Sequence, residues 1–161
     1  MDLGLKGKVA IITGGSEGIG YAAAWEMANE GANVVICART LGPLEDAAKR
    51  IKTETGNSVT AISCDVTIPS AIESLFSDVI ERFGAVHILV NNAGTSSAAP
   101  FDETPDETWD YDIDLKLYGA IRCSRLAIDQ MKKQSYGRII NITSPGGKAP
   151  TASSVPPSVS R

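Results

Sequence analysis

Eight residues, TGGSEGIG from Thr13 to Gly20, carry the clearest chemistry in the sequence. Glycines at 14, 18 and 20 let a backbone turn sharply, approach a diphosphate closely and pack a following helix against a sheet. Free N–H groups at the helix start then face the phosphates. Thr13, Gly14, Ser16, Gly18, Ile19 and Gly20 are therefore the positions expected to meet a dinucleotide coenzyme. The spacing is not the general G-x-G-x-x-G, because three residues separate the first two glycines and one separates the next pair. A plain tight turn is the bland reading. The motif's place directly after an apolar, β-branched run favours the coenzyme.

The adenosine end of such a coenzyme is read about twenty residues beyond the glycines, where NAD sites place an acid for the ribose hydroxyls. Here the sequence offers CART, with Ala38 followed by Arg39. No carboxylate stands there to repel a 2′-phosphate, and a guanidinium stands ready for it. That pattern favours NADP(H), with NAD(H) possible. Glu17 inside the turn pulls the other way, and a solvated loop arginine is the alternative for Arg39.

These residues need a scaffold, and two alternating periods supply one. Continuous β-branched runs read as strands at Val9–Thr13, Asn33–Ala38, Val59–Cys64, His87–Asn92 and Arg138–Ile142. Between them apolar residues fall at helical spacing: Ile19, Ala22, Ala23 and Met27; Leu44, Ala47, Ala48 and Ile51; Ile72, Leu75, Phe76, Val79, Ile80 and Phe83. A fourth helix, from about Pro105 to Lys133, is apolar on two sides. Ile113, Leu117, Ala120, Ile121 and Ile128 form one side, and Leu115, Tyr118 and Leu126 another. The second side predicts a partner subunit, hence a homo-oligomer through this helix. Strand–helix alternation with short connections predicts an α/β chain: a Rossmann-type, doubly wound parallel sheet of about five strands in three layers. Residues 1–161 read as one domain.

Composition narrows the function classes. The chain of 161 residues is 43% hydrophobic and carries a formal net charge of −4, which argues against nucleic acid. No apolar run approaches a membrane span. The three cysteines, Cys37, Cys64 and Cys123, lack metal spacing and read as buried thiols of a reducing compartment, so no metal and a cytoplasmic location are expected. His87, the sole histidine, reads as a surface or strand-end residue rather than a general base.

Four motifs in order resemble the short-chain dehydrogenases/reductases, particularly the 3-oxoacyl carrier-protein reductases: TGGSEGIG, then CDV after the third strand, NNAG after the fourth and GRIINITS at the fifth. The resemblance implies hydride transfer between a nicotinamide and a small carbonyl or alcohol. It further implies that Asp65 and Val66 cradle the adenine, that Asn91, Ala93 and Gly94 support the sheet and ribose side, and that Ser144 orients the substrate oxygen.

The rest of the family's catalytic set is altered. Lys116 stands where the family has an asparagine. Where a tyrosine and, four residues on, a lysine would stand, this chain has Pro157 and Arg161. Proline has no proton to give; arginine stays charged but could still bind the ribose hydroxyls. Pro157 nonetheless suits the first turn of a helix. Lys116 is the leading alternative proton carrier, against a solvated or ion-paired helix lysine. The family's later strands and substrate loop are absent, so the chain reads as a truncated member. A catalytically inactive nucleotide-binding relic, an interaction module or a fragment are the competing readings.

Overall fold

A strand covered on both faces takes continuous apolar sequence, and β-branched side chains fit its pleat. In the computed structural model, which describes residues 3–96, 98–149 and 155–160, the five runs are β1 (Val9–Thr13), β2 (Asn33–Ala38), β3 (Val59–Ser63), β4 (Ile88–Asn91) and β5 (Arg138–Asn141). All pair in parallel, in the order β3-β2-β1-β4-β5. The helices are α1 (Gly18–Asn29), α2 (Leu41–Thr55), α3 (Pro69–Phe83), α4 (Asp106–Ile113), α5 (Gly119–Lys133) and the short α6 (Val155–Ser160).

The register places Ile11 between Val35 and Leu89, and Ile12 between Ile36 and Val90. Alternate residues of β1 therefore feed two cores. On one face Val9, Ile11, Val35 and Leu89 meet Ile72, Leu75, Phe76 and Val79 of α3 and Cys123 and Ala127 of α5. On the other, Ala10, Ile12, Val34 and Ile36 meet Ala24 and Ala28 of α1 and Leu44, Ala47 and Ile51 of α2. This is the expected three-layer, doubly wound arrangement.

Two helices bury a different stripe from the one their sequence suggests. In α1 the buried residues are Gly20, Ala24 and Ala28, whereas Ile19 is 62% exposed. Only very small side chains fit where this helix leaves the glycine turn against the sheet, so the larger Ile19 is turned out toward a cleft. In the fourth helical stretch the buried stripe is Leu115, Gly119, Cys123, Ala127 and Met131, while Leu117, Tyr118 and Ile128 are exposed. That stretch is not one regular helix. Residues Asp114–Tyr118 form a π-helical turn between α4 and α5. The wide turn lets two sequence neighbours, Leu115 and Lys116, both be buried.

His87 lies at a strand end, as its sequence position suggests. Its N–H donates to the Val9 carbonyl (2.9 Å), and its Nδ1 accepts from the Val9 N–H (3.0 Å). Burial, and then the nearby charge of Lys8, lower its pKa. A base with a lowered folded pKa binds fewer protons in the folded state. Its stabilising effect is thus complete above about pH 6.5 and is lost as pH falls through the folded value. Urea midpoints should drop more steeply below about pH 6.5 for the native chain than for His87→Gln; parallel profiles would refute this account.

Candidate functional site

The end of β1 is locked to the turn after β4 by a small set of partly buried bonds. Thr13 Oγ1 accepts the N–H groups of Asn92 and Ala93, both at 3.0 Å. Asn92 Nδ2 donates to the carbonyls of Thr13 (3.0 Å) and Gly14 (2.9 Å). The Cys37 carbonyl accepts from Gly14 (2.8 Å) and Gly15 (3.2 Å), tying the same turn to β2. Gly14 has φ of 66°, and a Cβ there would sit 3.0 Å from Asn92 Nδ2 and the Ala93 Cα. A Cβ on Gly20 would strike the Gly14 carbonyl oxygen and lie 2.5 Å from Asn92 Nδ2. Glycine is the only residue that fits both places.

Beside this turn opens a cleft of about 340 Å³. Of the residues expected at a coenzyme, Gly14, Ser16, Ile19, Arg39, Asp65, Val66, Ala93 and Gly94 line it. Thr13 and Asn91 instead line a second cavity; Gly18 takes a φ of 57° in the turn with open space where a Cβ would be, and Gly20 packs against Gly14. Arg161 lies outside the described residues. Asp65 is held in place by Thr67, whose N–H (2.9 Å) and hydroxyl (2.8 Å) donate to its Oδ1. Asn92, the residue that clamps the turn, was not singled out by sequence; the doubled asparagine of NNAG was its only signal.

The cleft suits a dinucleotide. The N-cap residue Glu17 makes no side-chain capping bond to α1, so first-turn N–H groups are left to an anion. Thr95 Oγ1 is buried at the cleft without a hydrogen-bond partner among the described residues, as expected of a group that a ligand satisfies. The cleft floor carries Cys37 and Cys64. The hydrogen bond between them, followed by burial, raises the Cys37 thiol well above its usual range, and that same bond lowers Cys64. Burial pushes the third thiol, Cys123, up to about 12.

The second cavity, of about 450 Å³, lies between the ends of β4 and β5 and the α4–α5 stretch. Val66, Ala93 and Leu115 line both spaces and form the wall between them. Lys116 enters this cavity with its side chain 2% exposed and pairs with a wholly buried Asp112 at 2.5 Å. Ser160 Oγ of α6 lies 2.9 Å from the same Asp112 oxygen and 2.9 Å from the Pro156 carbonyl. Lys116 is thus ion-paired, the alternative that its position left open. Asp112 and Ser160 went unrecognised in the sequence, although the i, i+4 spacing of Asp112 and Lys116 on a helix was a legible signal.

Ser144 caps a short 3-10 turn (Pro145–Gly147), its Oγ accepting the Gly146 N–H at 3.2 Å. Ser158 of α6 packs on Gly146, since a Cβ there would come within 3.0 Å of its hydroxyl. Pro157 lies in the first turn of α6 and is half-buried. So α6 bridges the Ser144 turn and the Asp112–Lys116 pair.

Residues 8–160 match the family model described as short chain dehydrogenase. The chain belongs to that family. A short-chain type dehydrogenase/reductase of Picea abies is 43% identical over 148 residues, covering 87% of this chain and 55% of the relative. Among solved structures, L-sorbose reductase from Gluconobacter frateurii, complexed with NADPH and L-sorbose, superimposes with a TM-score of 0.94 at 37% identity over 99% of this chain and 61% of its own. An NAD⁺-bound xylitol dehydrogenase superimposes with a TM-score of 0.92 at 29% identity, over 97% and 60%. The chain spans less than two thirds of the length of each.

The buried pair gives a direct test. Lys116→Met strands the Asp112 carboxylate in the interior and should cost about 3–5 kcal/mol in urea unfolding. Adding Asp112→Asn should recover part of that loss. A single variant as stable as the native chain would show that the pair is not buried in solution.

Proposed function

We propose that the chain is the coenzyme-binding part of an NADP(H)-dependent oxidoreductase acting on a small carbonyl or hydroxyl compound. The observation that carries the reading is the glycine cradle fixed by Thr13 and Asn92, with the uncapped start of α1 on one side and Arg39 at its rim. The NADPH complex of the related L-sorbose reductase supports the same choice. Gly14, Ser16 and Ile19 would hold the diphosphate region, Asp65 and Val66 the adenine, and Arg39 a 2′-phosphate. Arg161, which lies outside the described residues, is assigned to the ribose hydroxyls on its chemistry alone. NAD(H) is the weaker ligand in this reading, since Ala38 offers no carboxylate to the ribose.

When bound, the nicotinamide supplies or accepts the hydride. Ser144 would donate a hydrogen bond to the substrate oxygen, since its Oγ accepts the Gly146 N–H and its own proton is left to give. Pro157 has no proton to exchange, so the matching proton falls to Lys116 with Asp112 against it. The Lys116 ammonium would give one proton to the developing alkoxide and become the amine, while Asp112 orients it and keeps its own hydrogen bond from Ser160. Exposed Leu117, Tyr118 and Ile128 support self-association through the α4–α5 stretch. Three free, buried cysteines fit a cytoplasmic setting.

Calorimetry should register NADPH binding, with NADH weaker. With coenzyme bound, reduction of a carbonyl panel should fall about a hundredfold in Ser144→Ala. Binding without any turnover would leave a nucleotide-binding module, and no heat with either coenzyme would end the reading altogether.

A further inference from the structure

Arg39 leaves the end of β2 with both its backbone and its side chain held. Ser63 Oγ donates to its carbonyl at 3.0 Å, and its Nη1 donates to the hydroxyl oxygen of Tyr111 at 2.6 Å. Tyr111 belongs to α4, one turn before Leu115 of the cleft wall. The bond therefore joins two elements 72 residues apart in the chain, at the rim of the cleft where Arg39 lies. Neither partner is buried, so nothing in the packing obliges this contact.

The chemistry of the acceptor matters. A phenol is neutral, and among the described residues no carboxylate lies within ion-pairing distance of Arg39, Glu17 included. The guanidinium is oriented without having its charge compensated. It has five N–H donors, and the tyrosine takes one, which leaves a forked edge for a phosphate. The phenol's own proton is not used in this bond and remains a donor. An exposed arginine otherwise samples many rotamers, and ordering it beforehand removes part of the entropy lost on binding.

We propose that Tyr111 is a positioning residue for Arg39: it holds the guanidinium over the adenosine end of the cleft and so raises selectivity for a coenzyme bearing a 2′-phosphate. The inference rests on the NADP(H) reading above. It adds a determinant that sits on α4, far in sequence from the glycine turn and from β2.

A double-mutant cycle measured by calorimetry with NADPH and NADH tests it. Tyr111→Phe keeps the ring on a partly exposed site, so the fold is retained. NADPH should bind about three- to tenfold more weakly, the worth of one hydrogen bond, while NADH is unchanged. In an Arg39→Ala background the same substitution should have no further effect on NADPH. Equal losses for both coenzymes, an unchanged or tighter NADPH constant, or a loss that persists without Arg39 would each overturn the role of Tyr111. Should Arg39→Ala alone leave the preference between the coenzymes untouched, the coenzyme reading itself fails and this inference falls with it. An intact effect of Arg39→Ala beside a silent Tyr111→Phe would sink the inference alone.

Discussion

The hydrogen bonds that Thr13 and Asn92 exchange across the ends of β1 and β4 are the constraint on which the rest of the site depends. A parallel sheet leaves unpaired backbone groups where its strands end, and a glycine turn adds more. Buried groups of this kind must find partners. One hydroxyl and one amide supply four bonds here, and they do so at the point where the chain order reverses, between β1 and β4. Crevices at such switch points are where α/β sheets bind ligands. The clamp therefore does two things at once. It satisfies the strand ends, and it holds the turn open at a fixed distance from the sheet.

From that point the two spaces divide the work. The cleft over β1 and β2 has glycine backbone, an uncapped helix start and an arginine rim, all suited to phosphate. The cavity over β4 and β5 has a buried ion pair, asparagines and a serine-bearing helix. Val66, Ala93 and Leu115 separate them. A dinucleotide that crosses this wall would present its two ends to two different chemical environments.

The Asp112–Lys116 pair is the costly part of the design. Taking two charges out of water is compensated only where geometry and additional hydrogen bonds are good. Ser160 supplies one such bond and, through it, docks α6 on α4. The π turn that makes room for Lys116 interrupts an otherwise regular helix, and such turns often occur at functional sites. Lys116 thus comes with a carboxylate one turn away, and the two belong to one unit.

The sequence by itself determined the scaffold. Five β-branched runs and their alternation with helical stripes specified a parallel, doubly wound sheet, because the central strands β1, β2 and β4, buried on both faces, leave continuous apolar runs that the residue order displays, although β3 and β5 at the edges are only partly covered. It also determined the glycine turn, whose conformations and close approaches exclude side chains. What only tertiary structure decided were the contacts between residues distant in the chain: Asn92 on the glycine turn, Tyr111 on Arg39, Ser160 on Asp112. The stripe of α1 was decided there too, since Ile19 looks like core by spacing yet the sheet admits only Gly20, Ala24 and Ala28. Periodicity reports which face of an element is apolar. It does not report how near the neighbouring element will come, and that distance sets which side chains meet.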